Sequence, residues 1–167
     1  MLSLPVVINE IMTSNAETIT TMLRTAADEE FVGEVFSPDW FELRSQVNLP
    51  VKLDGMFMTD DPADPQKWQF PAGTVLPPLG WLTVFASGHN VLDPALDQQG
   101  VLHTNFELSS RQGYLAVIGS NGHVIDEIVT PEQRTHISYG RLPDGKTYVY
   151  FESPSPGSAI GSGRSCL

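Results

Sequence analysis

The feature that most constrains this chain is how often its backbone is interrupted. Fourteen glycines and 13 prolines stand among 167 residues, so a breaker falls about every six positions, which suits short strands and turns and leaves little room for long helices. The apolar share is 41% and the charged share only 17%, a globular composition and not a disordered one. A chain of this length forms one domain and buries roughly 70% of its unfolded surface.

Between the breakers the pattern is largely that of strands. A β-branched run from Pro5 to Met12 opens the chain. Short apolar or alternating segments follow at Trp40–Leu43, Met56–Thr59, Lys67–Phe70 and Gly80–Ala86. The last is apolar on both faces and reads as a central strand. Gly113–Ile118 and His123–Val129 flank Asn121-Gly122, the hairpin signal of a type I′ turn. A final hairpin turns at Pro143-Asp-Gly145 into Thr147–Phe151. Residues 87–110 form a long connection with little periodicity.

One segment reads differently. Ser14 and Glu17 have capping-box spacing, and Ile19, Met22, Leu23, Ala26 and Ala27 share one helical face. The spacing predicts a short helix inserted after the first strand, ending near Asp28-Glu29-Glu30. Four threonines lower its propensity, so it must lean on the outer side of a sheet or on a second subunit. About eight strands with frequent turns, without strand–helix alternation, predict an all-β antiparallel sandwich or barrel.

The charge balance narrows the function. Nine basic against 20 acidic side chains leave −11, which disfavours attraction to nucleic-acid phosphates. No apolar run reaches the ~18 residues of a membrane span, so direct membrane insertion is not expected. The first residues have no basic or apolar leader, and any secretion signal is expected outside this sequence. Cys166, the single cysteine, cannot form an internal disulfide.

Candidate chemistry is sparse. Gly140–Thr147 matches the phosphate-loop expression, but a strand-like segment follows it where a helix is required, so a hairpin turn is the preferred reading. His89, His103, His123 and His136 lack zinc-ligand spacing. His103 and Glu107 could supply base and acid, yet no positioned nucleophile accompanies them. Asp60, Asp61 and Asp64, in a proline-stiffened loop, are the candidate metal ligands and would suit Ca²⁺, although the EF-hand spacing is absent. Their alternative role is local turn capping. Asp28, Glu29, Glu30 and Asp39 read as a solvated acidic corner. Trp40, Trp68, Trp81 and Tyr139 could stack on sugars, with at least two of them expected in the core, since Trp68 is in phase with Phe70 and Trp81 with Phe85.

Ten segments in order resemble the bacterial form of the lamin-tail domain, the intermediate filament tail. They are Val7-Ile-Asn-Glu-Ile-Met12, Asp39-Trp-Phe-Glu-Leu43, Leu53-Asp-Gly55, Thr59-Asp-Asp61, Lys67-Trp-Gln-Phe-Pro71, Gly80-Trp-Leu-Thr-Val-Phe-Ala86, His103-Thr-Asn-Phe106, Gly113-Tyr-Leu-Ala-Val117, Ser138-Tyr-Gly-Arg141 and Pro154-Ser-Pro-Gly157. The resemblance implies an immunoglobulin-like antiparallel β-sandwich over residues 5–157, followed by a flexible Ser/Gly-rich tail, 158–167. Residues 20–38 exceed the family's usual length, in keeping with an inserted helix. The resemblance carries over no catalytic residues. It implies a non-catalytic interaction or tethering module of a larger bacterial protein, secreted or attached to the cell surface. Its partner would be a protein or an extracellular ligand, with a homo-oligomer allowed. Two alternatives stand beside this expectation: a calcium-stabilised adhesion-type module, and a metal-assisted hydrolase bringing Asp60 or Asp61 beside His103.

Overall fold

The computed structural model of the chain describes residues 5–16, 19–28, 30–31, 33–142, 144, 147–152, 154, 156 and 165–166. Its strands are β1 (Val6–Met12), β2 (Asp39–Ser45), β3 (Val51–Lys52), β4 (Phe57–Thr59), β5 (Trp68–Gln69), β6 (Val75–Leu76), β7 (Trp81–Ala86), β8 (Gly113–Ile118), β9 (Val124–Thr130), β10 (Ser138–Arg141), β11 (Tyr148–Phe151) and β12 (Ser165–Cys166). One 3₁₀ turn spans Pro94–Leu96.

The strands form an all-β antiparallel sandwich. One sheet has the order β12-β11-β10-β1-β2-β7, the other β5-β4-β8-β9, and a two-stranded β3-β6 ladder accompanies them. A single core fills the space between. Val6, Ile8 and Ile11 of β1, Phe41 and Leu43 of β2, and Val84 and Ala86 of β7 meet Met58, Trp68, Leu115, Val117 and Ile128 from the opposite sheet. Trp68 and Phe70, in phase on one face, are both buried and pack edge to face at 4.9 Å.

β1 shows how the sequence sets this geometry. Val6 and Ile8 alternate normally, but the next core residue is Ile11, three positions on. A bulge between Ile8 and Glu10 in the β1–β2 pairing restores the parity, because the extra residue shifts which face each later side chain meets. Asn9 and Glu10 are buried nonetheless. Asn9 Nδ2 donates to Glu42 Oε1 at 3.0 Å, and Ser138 Oγ donates to Glu10 Oε1 at 2.6 Å. Paired polar groups of this kind can be buried without a heavy desolvation penalty.

Asp126 ties the two sheets together. It accepts from the Ile8 backbone N–H at 2.8 Å and from Arg141 Nη2 at 3.0 Å. The Arg141 guanidinium lies 4.7 Å from the centroid of the Tyr148 ring, which stacks on Tyr139.

The expected inserted helix is absent. Residues 19–24 run extended across the outer face of the larger sheet, where Thr21 pairs with Phe36 and Leu23 with Asp97, and residues 25–28 close a turn, Asp28 N bonding to Thr25 O at 3.1 Å. Backbone bonds from Arg24 N to Leu96 O (3.0 Å) and from Gln98 N to Met22 O (2.9 Å) replace helical ones. Glu17 of the expected capping box lies outside the described residues, and Ser14 Oγ lies 3.0 Å from Thr135 Oγ1. Tertiary partners for the backbone, together with β-branched threonines, outweigh a modest helical periodicity. Of the residues expected to cover the sheet, Ile19 does so. Ile19 packs with Val101 on a second small core of Met12, Trp40 and Phe85, while Ala26 and Ala27 are exposed.

The β8–β9 hairpin also differs in detail. Among its loop residues only Gly122 has a positive φ, 83°. Gly122 N bonds to Gly119 O at 2.9 Å and Gly119 N to His123 O at 2.8 Å. The connection is therefore a three-residue loop, a type I turn followed by a left-handed glycine, and not the two-residue type I′ turn.

The 140–147 segment is a hairpin between β10 and β11. Asp144 accepts from Thr147 N (2.9 Å) and Thr147 Oγ1 (2.6 Å). A strand, not a helix N-terminus, follows. Pro143, Gly145 and Lys146 lie outside the described residues, as does most of the expected tail, of which Ser165 and Cys166 pair with β11.

Candidate functional site

The most concentrated polar chemistry lies where β7 ends. Ser87 leaves the strand, and Gly88, at φ 78°, reverses the chain. The connection then returns beside β7: Phe85 N bonds to Leu102 O and Thr104 N to Phe85 O, each at 2.9 Å. This brings His103 against the strand that carried Ser87. Between them Asp93 caps the Pro94–Leu96 turn by accepting from Ala95 N, which sets Asp97 facing inward.

The result is a hydrogen-bonded chain. His103 Nδ1 lies 2.7 Å from Ser87 Oγ and His103 Nε2 lies 2.8 Å from Asp97 Oδ1. Asp97 Oδ1 also accepts from Thr21 Oγ1 at 2.6 Å, and Oδ2 accepts from Gln99 N (2.9 Å) and Val101 N (3.1 Å). The His103 and Asp97 side chains are wholly buried. Rings of Phe85 and Phe36 stand 5.0 and 6.3 Å from His103. Burial pushes the Asp97 carboxyl up, but the hydrogen bonds from His103, Thr21 and Val101 and the attraction of His103 outweigh it, so its pKa lies below the usual value.

With its proton on Nε2, the imidazole donates to Asp97 and accepts from the Ser87 hydroxyl. That connectivity resembles a nucleophilic relay. Its setting is that of a structural clamp. The ring is enclosed, and Ser87 Oγ also accepts from His89 N at 3.2 Å. The chain fastens the Thr21 and Asp97 segments and the His103 return to the end of β7.

The other candidates lie elsewhere. Asp60 Oδ1 pairs with Lys67 Nζ at 2.7 Å. Asp61 Oδ1 accepts from Ala63 N (2.9 Å), and Thr59 Oγ1 donates to the carbonyls of Asp61 (2.9 Å) and Asp64 (2.6 Å). Each engaged oxygen serves the turn or a lysine. Among the described residues no three acidic, histidine or cysteine side chains gather as a metal-binding group. Asp60 and Asp61 do not meet His103, whose two nitrogens are taken by Asp97 and Ser87. His89 lies 6.5 Å from His103, ring to ring; His123 and His136 are exposed on separate loops.

The acidic corner also separates. Asp28 accepts from Thr25 N and Oγ1, and these bonds lower its pKa. Asp39 turns inward, where burial, with the charge of Glu107 adding and a backbone bond from Asn15 opposing, raises it to about 6. Glu107 lines a cavity of about 420 Å³ with Asp60 and Tyr114.

Of the aromatics, Trp40 and Trp68 are buried, while Trp81 and Tyr139 are half-buried. An open groove of about 620 Å³ runs past Trp68 and is lined by the carboxamides of Gln66, Gln69, Asn90 and Asn105. Trp68 Nε1 donates to Asn90 Oδ1 at 3.1 Å, and Asn105 Nδ2 to Lys67 O at 2.9 Å.

Asp97, Ser87 and the carboxamide groove were not legible as sites. The one available signal was an Asp-Pro pair, Asp93-Pro94, opening a turn before a histidine on a long aperiodic connection. No protein-family model matches the chain, and no curated protein matches it.

Proposed function

We propose that this chain is a non-catalytic interaction or tethering module of a larger protein, of lamin-tail kinship and displayed or secreted by a bacterium. The kinship rests on the ten ordered segments between Val7 and Gly157. The observation that carries the non-catalytic reading is the condition of His103, the best-placed base in the molecule. It is wholly enclosed and both ring nitrogens hold loops to β7. A general base needs access to the proton it removes.

The exposed surface supports recognition instead. The Trp68 groove offers carboxamide donors and acceptors together with one acid, Asp54, and one base, Lys67, polar groups that select ligands by geometry. The net charge of −11 favours a protein or extracellular ligand over nucleic acid. Assays of the purified chain against ester, phosphodiester, peptide and glycoside substrates test the proposal, with no turnover expected. Turnover that disappears in Ser87→Ala, a variant chosen because it leaves the Asp97–His103 bond intact, would overturn it.

A further inference from the structure

The ladder between β2 and β7 assigns a direction to every backbone group of β7. Phe85 directs its N–H and C=O away from β2, to Leu102 and Thr104. Its register partner is Trp40, and the pairs Glu42–Thr83 and Arg44–Trp81 share that parity. Thr83 and Trp81 therefore also direct their backbone groups outward. Beyond Phe85 the edge is covered by the return strand. At Thr83 and Trp81, no described group bonds to it.

The uncovered stretch borders a cavity of about 440 Å³, lined also by residues 71–74 and by Leu92, Val101 and Leu102. Leu92 is 45% exposed. Unpaired strand edges next to apolar surface template the addition of another strand. A charge stands beside this edge. The Arg44 guanidinium lies 5.7 Å from the centroid of the Trp81 ring. It makes no ion pair among the described residues, and both Arg44 Nε and Trp81 Nε1 are buried donors without a hydrogen-bond partner. The carboxylate next to the cavity wall, Asp93, is engaged in capping Ala95 N. Arg44 and Trp81 are register partners on one face of the sheet, and their cation and indole N–H, both without a partner beside the open edge, call for a carboxylate.

We infer that the Trp81–Thr83 edge of β7 binds an extended segment of a partner protein, which adds as a strand and places an acidic side chain against Arg44 and Trp81. The segment's backbone bonds to Trp81 and Thr83, and its apolar residues enter the cavity beside Leu92 and Val101. This rests on the proposed role as an interaction module and names its docking strand.

The test is selection of a displayed library of random 12-residue peptides on the full chain, compared with selection on Thr83→Pro. Proline at an outward-facing edge position removes one donor without breaking the β2 ladder, and an unchanged thermal midpoint checks that the variant folds. The expected result is enrichment on the wild type alone of peptides with an acid among alternating apolar residues. A synthesised enriched peptide should protect the Trp81 and Thr83 amides from exchange, and its affinity should fall at least tenfold on Arg44→Glu. Enriched peptides that bind Thr83→Pro equally well overturn the edge site while leaving the module role standing. No enrichment overturns the edge site as well. Concentration-dependent dimerisation of the wild type, abolished by Thr83→Pro, would give the edge to a second copy and overturn the partner assignment.

Discussion

Asp97 and Asp39 show two ways for this fold to take in a carboxylate. Asp97 is surrounded by donors, from Thr21, His103 and two backbone N–H groups, so its charged form is stabilised against burial. Asp39 is desolvated by burial, with the charge of Glu107 adding and only the Asn15 backbone bond opposing, and its pKa rises to about 6. A carboxyl raised in the folded state contributes stability that is full below its unfolded pKa and lost as pH climbs through the folded value. The Asp39 contribution should therefore vanish between about pH 4 and 6. Asp39→Asn removes the ionisation and keeps an acceptor for Asn15. It should raise the thermal midpoint by about 2–4 °C at pH 8 and by much less at pH 4.5. Scanning calorimetry of both proteins across this range checks it; a constant difference would mean that Asp39 ionises normally in the native state.

At the scale of elements, the strands near breakers and the hairpins were readable, because alternation and turn residues are local properties. Trp68 and Phe70 share a buried face as their spacing implies. The segment from Ile19 to Asp28 was misread because helical periodicity says which residues want burial but not what the backbone will bond to. Here Leu96, Gln98 and Phe36 supply partners from elsewhere in the chain. The β8–β9 turn was located by Asn121-Gly122, but its type depends on which residue turns left-handed. Gly122 does so at φ 83°, and a Cβ there would meet nothing within 4 Å. The penalty for Gly122→Ala is therefore a backbone penalty, about 1 kcal/mol. Gly122→Asn, a residue that tolerates this conformation, should cost less. Urea unfolding of the two variants measures the difference, and equal costs would contradict the assignment of the strain to φ.

For the molecule as a whole, the two sheets and their shared core leave Ser87, Asp97, His103 and the Asp60–Asp64 loop at turns and strand ends. The Asp60–Asp64 loop is a case in point, with Asp60 Oδ1 paired to Lys67 and Asp61 Oδ1 holding Ala63 N of the local turn. Calcium should then bind the native state too weakly to stabilise it, and the thermal midpoint should agree within about 1 °C between excess chelator and millimolar Ca²⁺. A rise of several degrees with calcium would restore the adhesion-type alternative.

The amino-acid order by itself determined the class of fold, through breaker spacing, two-residue alternation and the apolar runs that had to face one another. It also marked the places of the hairpins, since a turn is decided within four or five neighbouring residues. Only the tertiary structure decided that residues 19–24 lie extended, that Ser87, His103 and Asp97 join in one chain, and that β7 keeps an open edge at Trp81 and Thr83. Each of these depends on groups far apart in sequence satisfying, or leaving unsatisfied, one another's hydrogen bonds, and no local pattern records which distant group will arrive.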